Sequence, residues 1–332
     1  MTSSHSYPAV RPITVWLSLC CILILLMAVI GAVTRLTESG LSITSWEPIK
    51  GILPPLDDVA WNNAYQLYRA TPQYAGIHEG MALDRLWGRI IGLVFALPMF
   101  FFWMKGMLPK EYKLPLLGIL ALGGLQGFIG WFMVQSGLEP GQVSVSPYRL
   151  ALHLGLALFI YACILWQILR LHADKLRLPS VYSWCLHRHS LFTLAFLALT
   201  IVWGAFTAGL DAGKIYNSFP LMDGHFIPPD FNAIEPWLKN ITANPAAVQF
   251  VHRILATITL ILTASLAWRM HKIEPRISIA LGITISLQYV LGIITVISGA
   301  ALVPASLHQA NAILALTCVL AYVFIVRQKK PN

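Results

Sequence analysis

Eight stretches of this chain stay almost free of charge for long enough to cross a bilayer: residues near 13–33, 86–104, 114–136, 149–169, 191–210, 251–268, 277–297 and 306–326. Backbone inside hydrocarbon has to satisfy its own N–H and C=O groups, so runs of this length predict helices, and eight of them predict an all-α integral membrane protein. Composition settles the class, because 57% of the 332 residues are apolar and only 11% are charged, less than half the charged share of an ordinary soluble domain. That excludes a disordered chain, a secreted disulfide scaffold and most soluble enzymes. Cys20, Cys21, Cys163 and Cys318 lie inside apolar runs and Cys185 in a basic connection, so no disulfide framework is expected. Arg11 precedes the first run as in a secretory signal. The run is longer than a usual signal core, and no small-residue cleavage site follows before Gly31, so it is expected to remain as a span.

The net charge of +9 would suggest nucleic acid if the basic residues formed a patch, but they are spread between the apolar runs. Fourteen fall in the N-terminus, the even-to-odd connections and the C-terminus: Arg11, Lys105, Lys110, Lys113, Arg170, Lys175, Arg177, Arg188, Arg269, Lys272, Arg276, Arg327, Lys329 and Lys330. Arg35, Lys50, Arg69, Lys214 and Lys239 sit in the opposite loops, and Arg85, Arg89, Arg149 and Arg253 at span ends on that same side. The positive-inside rule then puts both termini in the cytoplasm. The long outer connections, about 35–83 and 211–247, are rich in Pro, Trp and Gly and are expected to form ordered caps.

The two halves repeat. Gly31-Ala-Val-Thr34 closes the first span as Gly204-Ala-Phe-Thr207 closes the fifth. The third span carries Leu125-Gln126, Gly130, Val134 and Ser136-Gly137, and the seventh carries Leu287-Gln288, Gly292, Val296 and Ser298-Gly299 at identical spacing. Leu152-His153 with Cys163 in the fourth span matches Leu307-His308 with Cys318 in the eighth. A duplicated unit of four spans enters the membrane twice in the same sense, which disfavours an inverted-repeat transporter and predicts two repeated four-helix bundles. The expected division is a tail at 1–12, a first bundle at 13–170, a cytoplasmic connection at 171–190, a second bundle at 191–326 and a tail at 327–332.

Of ten histidines, His5 falls in the N-terminal tail, His172, His187, His189 and His271 in basic connections, and His225 in the second outer loop. His153, His252 and His308 differ, since each lies just inside the outer end of a span, where an ionisable group is costly without a role. One such residue alone could be no more than a hydrogen bond between helices; three at repeat-related depths suggest ligands. His252 and His308 could face each other across the second bundle as two axial nitrogens of one iron. Heme fits better than zinc or copper, because no Cys or carboxylate stands at ligand spacing beside either residue. Arg253, next to His252, is placed for heme propionates or for simple headgroup contact. The first half is incomplete: Phe250-Val-His-Arg253 aligns with Ala82-Leu-Asp-Arg85, so Asp84 stands where a partner for His153 belongs. His78 is the nearest imidazole upstream.

Several long motifs resemble the heme A synthase family: residues 31–42 (Gly-Ala-Val-Thr-Arg-Leu-Thr-Glu-Ser-Gly-Leu-Ser), Trp46-Glu-Pro48, Gly51-Ile-Leu-Pro-Pro55, the 125–137 stretch, Gly209-Leu-Asp-Ala-Gly213, Tyr216-Asn-Ser-Phe-Pro-Leu-Met222 and Phe250-Val-His-Arg253. The likeness is to the proteobacterial and mitochondrial type, which lacks an outer-loop cysteine pair. It implies a heme-dependent membrane oxidoreductase of the bacterial inner membrane. Such an enzyme converts the C8 methyl of heme O into the formyl group of heme A by successive hydroxylations, for cytochrome oxidase. It implies a heme b cofactor on His252 and His308, with Arg253 beside it, and a substrate-heme site using His153, Arg35, Arg85 and Arg89. The implied partners are heme O, a heme O synthase, cytochrome oxidase assembly factors and membrane lipid, without nucleic acid; a homo-oligomer is left open. The chain departs from the family at the second span, where the motif is Glu-x-x-His-Arg-x-x-Gly-Arg. Arg85-Leu-Trp-Gly-Arg89 preserves its end, while Met81 and Asp84 occupy the Glu and His positions. About a dozen residues of the family pattern are missing between Asp84 and Arg85. The expectation is a heme A synthase with its second site intact and its first site damaged. The rivals are a non-catalytic heme carrier or assembly partner, which the missing Glu and His favour, and a quinone-linked cytochrome b, which should carry histidine pairs at two depths.

Overall fold

A computed structural model describes residues 10–37, 59, 62, 66, 83–139, 142, 144–173 and 184–327. His5, His78, Met81, the 46–48 and 51–55 motifs, Lys175 and Arg177 lie outside the described residues, as do the side chains of Asp84 and Arg85. Eight long helices account for the eight apolar runs: α1 (Val10–Leu36), α2 (Leu83–Met104), α3 (Lys110–Gln135), α4 (Pro147–Leu171), α5 (Trp184–Gly209), α6 (Pro245–Met270), α7 (Pro275–Ile297) and α8 (Leu302–Arg327). Among the described residues there is no strand, only an isolated bridge between Met222 and His225. All five cysteines are free.

The helices outrun the apolar stretches because helix continues through polar ends once the core of each span is fixed. Pro147, Pro245 and Pro275 open α4, α6 and α7, where a missing N–H costs nothing. Asn244 caps α6 by accepting from Ala246 N at 3.0 Å. This corrects two placements: His187 and His189 belong to α5 rather than to the connection before it. The ring of His189 reaches Leu262 O at 3.2 Å and Arg269 at 3.1 Å. His172 closes α4, 3.0 Å from Thr14 Oγ1 of α1. Pro98 interrupts the α2 ladder, and the Val94 carbonyl it leaves unserved accepts the Trp16 indole N–H of α1 at 2.8 Å.

α1, α2, α3 and α4 pack as a closed ring, each on its sequence neighbour and α4 back on α1; α5 to α8 close a second ring in the same order. The rings meet through α1–α8, α4–α5 and α4–α8. Exchanging the halves maps each seam contact onto another or onto itself, as duplication requires. Gln309 donates to Ala28 O at 2.6 Å and Tyr161 meets Thr317 at 2.7 Å across this seam. α8 lies deepest, with Ala315, Val319 and Tyr322 fully buried, while Met104, Leu114 and Trp268 are 77–85% exposed on the outside, as lipid-facing side chains should be.

Between α5 and α6 the chain forms an ordered cap of short turns. Asn240 and Asn244 knit it: Asn240 bonds both backbone groups of Ile234, and Asn244 Nδ2 reaches Asp230 O, Phe231 O and Asn240 Oδ1.

Candidate functional site

Three histidines stand on glycines. A Cβ at Gly292 of α7 would come within 3.0 Å of His308 Cε1, one at Gly204 of α5 within 3.2 Å of His252 Cε1, and one at Gly130 of α3 within 2.9 Å of His153 Cε1. The Cε1 edge of each imidazole therefore comes up against a neighbouring helix where only hydrogen leaves room. The fourth glycine of this set is Gly31 of α1, the repeat counterpart of Gly204. A Cβ there would meet nothing within 4 Å among the described residues. In the second half that space is filled by His252, whose counterpart in α2 is Asp84. Arg253 is the ninth residue of α6, and Arg85 is the third described residue of α2.

The second bundle fixes how its histidines present their nitrogens. His252 Nδ1 lies 3.1 Å from Thr200 O, and His308 Nδ1 lies 3.1 Å from Gln288 O. A carbonyl only accepts, so Nδ1 carries the proton in both rings and the lone pair of a neutral ring is left on Nε2. Hydrogen bonding of the distal nitrogen to a carbonyl is how proteins orient imidazole ligands to metals. The rings come from α6 and α8, diagonal members of one ring of helices. Both are half-buried. Among the described residues no group of three or more His, Cys, Asp or Glu could hold a metal ion. Two neutral Nε2 donors on diagonal helices are a donor set that would hold a heme iron, whose remaining ligands the porphyrin would supply.

His153 is held differently. Gln126 Nε2 sits 3.1 Å from His153 O, which identifies it as nitrogen, and the same amide lies 3.1 Å from His153 Nδ1 and 3.4 Å from Nε2. Gln126 Oε1 is buried with no hydrogen-bond partner among the described residues.

The arginines separate into structural and unassigned. Arg253 donates to Tyr216 O at 2.7 Å, Ser218 O at 2.9 Å and Gln249 Oε1 at 3.1 Å, so the outer cap takes up its terminal nitrogens. Gln249 in turn donates to Ala212 O and Ile215 O. Arg35 forms an ion pair with Asp211 at 2.6 Å and reaches Gly209 O at 3.3 Å, tying the end of α1 to the end of α5. Burial alone would raise the Asp211 carboxyl, but Arg35 and Lys214 outweigh it and hold it below its ordinary value. Arg89 is half-buried in α2. Sequence reasoning missed Asp211, Gln249, Asn311 and the carbonyl of Thr200. Gln126, Gln288 and all four glycines were visible as repeat matches, yet nothing local joined them to the histidines.

The chain matches the family described as cytochrome oxidase assembly protein, COX15-CtaA, over residues 14–320. It is 43% identical to a heme A synthase of Rhodospirillum centenum over 93% of this chain and 87% of that protein. It is 40% identical to heme A synthases of Nitrosospira multiformis, over 96% and 94% of the two chains, and of Beijerinckia indica, over 99% and 96%. The Rhodospirillum alignment extends over 326 residues yet takes in 93% of a 332-residue chain, so gaps open on this chain's side. With its motifs, its repeated four-helix rings and these relatives, the chain belongs to the COX15-CtaA family of cytochrome oxidase assembly proteins.

Proposed function

We propose that this protein is a heme A synthase, a membrane oxidoreductase that takes the C8 methyl of heme O to the formyl of heme A. The observation that carries the reading is the pair His252 and His308, each backed by glycine and each offering Nε2, in a chain 40–43% identical to heme A synthases over nearly its full length. His252 and His308 would hold a heme b, which when bound would supply one-electron redox chemistry to the site. The second bundle, 191–326, is thus the cofactor half, and the first, 13–170, the substrate half.

The residues of the chain would work by position. Gly204 and Gly292 let the two imidazoles lie against α5 and α7, and the carbonyls of Thr200 and Gln288 hold their tautomers. Arg253 locks the cap over the outer end of α6 and leaves propionate contact to its one unbonded nitrogen, Nε. His153 is the imidazole of the substrate half, with Arg35, Arg85 and Arg89 as candidate partners for substrate propionates. Arg35 would meet a propionate only by sharing or leaving Asp211. Methyl to formyl removes four electrons from the carbon in two hydroxylations with loss of water. A carboxylate near that carbon would help by taking protons, and Met81 cannot.

The chain would sit in the bacterial inner membrane with both termini cytoplasmic, receiving heme O from a heme O synthase and serving assembly factors of cytochrome oxidase. Pigment extraction after co-expression with a heme O synthase tests the activity. New heme A is expected; bound heme without heme A would favour the carrier reading, which Met81 and Asp84 at the Glu and His positions support. Reporter fusions after Lys110 should read cytoplasmic and fusions within 225–240 external. An external signal at Lys110 would overturn the orientation.

A further inference from the structure

At the end of the molecule remote from the histidines, the start of α3 and the last turns of α4 and α8 enclose a cleft of about 520 Å³ lined by Glu111, Tyr112, Trp166, Arg170, Phe324 and Arg327. Arg170 follows His153 by roughly 25 Å along α4, so the cleft is separate from the candidate heme site. Its walls are aromatic and its rim is cationic. The Arg170 guanidinium sits over the Tyr112 ring at 5.0 Å and that of Arg327 over Trp166 at 5.4 Å, while Trp166 meets the buried Phe324 edge-on at 5.1 Å. A guanidinium stacked in this way keeps the N–H groups of its edge for a ligand. Arg170 gives Nη1 to Gln167 Oε1 at 3.0 Å, and Arg327 has no hydrogen-bond or ion-pair partner among the described residues. The two cations share the cleft with one carboxylate, Glu111, and neither forms an ion pair with it.

Arginines near the C-terminal ends of helices offset the partial negative charge of the last carbonyls, and basic residues on one side of a membrane set orientation. Any cation in the right turn meets both needs. Neither explains the aromatic platforms, nor why they stand on one side of the seam between the bundles. The spacing that pairs His153 with His308 sets Trp166 against Ala321, Arg170 against Ile325 and Arg327 against His172. The ring of His172 is already taken by Thr14. The repeat-related set therefore offers no arginine pair on aromatic rings, and the cleft is a feature of one corner rather than of the duplicated plan.

We propose that this cleft binds the headgroup of an anionic phospholipid, with Arg170 and Arg327 donating to its phosphodiester oxygens. The guanidinium fork matches phosphate geometry. Helix ends place the cleft at headgroup level, where basic pockets between membrane helices take anionic lipids. Phe324 and Trp166 supply an apolar floor for the glycerol and the first methylenes. Two arginines and one glutamate leave the lining one positive charge in surplus, which a lipid with a single net negative charge neutralises and a zwitterionic lipid does not. A headgroup held here would join α3 and α4 of one bundle to α8 of the other.

The test is a titration of the purified, delipidated full-length protein in neutral detergent with phosphatidylglycerol, phosphatidylethanolamine or glycerol 3-phosphate. Bound lipid is read by native mass spectrometry and by melting temperature, with helix content by circular dichroism as the control for folding. Phosphatidylglycerol should bind and raise the melting temperature. Arg327→Gln should weaken that binding by about fivefold, and the Arg170→Gln, Arg327→Gln pair by about 25-fold, the effect of one and of two basic residues at a membrane surface. Glu111→Gln removes the opposing charge and should tighten it by up to about fivefold. Arg170→Lys with Arg327→Lys keeps the charge at the helix ends but loses the fork and the stacking, and should bind more weakly than the native chain. Equal affinity in the native chain and in either double variant would overturn the proposal. Phosphatidylethanolamine binding as tightly as phosphatidylglycerol, or weaker phosphatidylglycerol binding in Glu111→Gln, would overturn the anionic class. Glycerol 3-phosphate displacing the lipid at equal concentration would assign the cleft to a soluble phosphate and overturn the lipid. Should the double variants fail to fold, Arg327→Gln decides alone, because Arg327 is exposed at the end of α8, and unchanged affinity there overturns the proposal.

Discussion

The two bundles are built from one repeated plan, and they differ where heme chemistry needs them to differ. The second has both of its histidines, each on a glycine, each with Nδ1 tied to a carbonyl, under a cap stitched by Asn240, Asn244, Gln249 and Arg253. The first keeps His153 on Gly130, but its other cradle, Gly31, faces no described side chain, and the amide oxygen of the glutamine beside its histidine has no partner among the described residues. Duplication thus supplies two similar four-helix frames, and a few side chains decide how each seats its histidines. The lesson is that a metal site is specified as much by what seats and orients the imidazole as by the imidazole itself.

The sharpest break in the comparison would come from the ligands. His308→Ala or His252→Ala should abolish the low-spin heme spectrum, whereas His153→Ala should leave it intact. Loss of that spectrum on replacing His153 would reverse the roles of the halves.

Next in size is repair of the first half. Inserting a family-like Glu-x-x-His segment before Arg85 would restore a carboxylate and an imidazole opposite Gly31. Misplacement of a reacting centre can cost on the order of 100-fold in rate, so heme A yield by extraction and chromatography should rise by up to that factor. Equal yields from both chains would sink the idea and point to His78, Glu79 or Asp84 as working substitutes.

The glycine cradles give a graded test. Gly292→Ala and Gly204→Ala place a methyl at 3.0 and 3.2 Å from the imidazole rings, so both should weaken or broaden the low-spin signal. Gly31→Ala meets open space among the described residues and should be silent in the spectrum. It should add up to about 1 kcal/mol of helix propensity, seen as a small rise in melting temperature. A Gly31→Ala variant as damaging as Gly204→Ala would mean that the first cradle is in use.

The smallest expected effect is at the link between the halves. Because the folded Asp211 carboxyl is held below its ordinary value of 3.8, the Arg35 pair contributes fully above that value and is lost as pH falls through the lowered one. Asp211→Asn should therefore lower the melting temperature slightly at neutral pH and make no difference in strong acid. The pair is partly exposed, so about 1 kcal/mol or less is at stake. A difference that persists below the folded value would show that Asp211 acts through something other than its charge.

Much of this molecule was legible in one dimension. Eight spans follow from hydropathy, since the cost of unpaired backbone in lipid leaves a long apolar run no alternative to helix. The internal repeat and the three intramembrane histidines follow from spacing, and the gap at Asp84 from comparing the halves. What the residues could not tell lies across helices rather than along them. Arg253 reads as a propionate partner by position, and the folded chain gives its terminal nitrogens to cap carbonyls and to Gln249, and that of Arg35 to Asp211. Gln126 and Gln288 match in the repeat, but Asn311 answers the amide oxygen of Gln288, whereas that of Gln126 is buried without a partner among the described residues. Hydropathy and repeat spacing are properties of a segment. The nitrogen on which a histidine keeps its proton depends on a carbonyl twenty or fifty residues away, brought within about 3 Å by packing, and only the tertiary structure decides it.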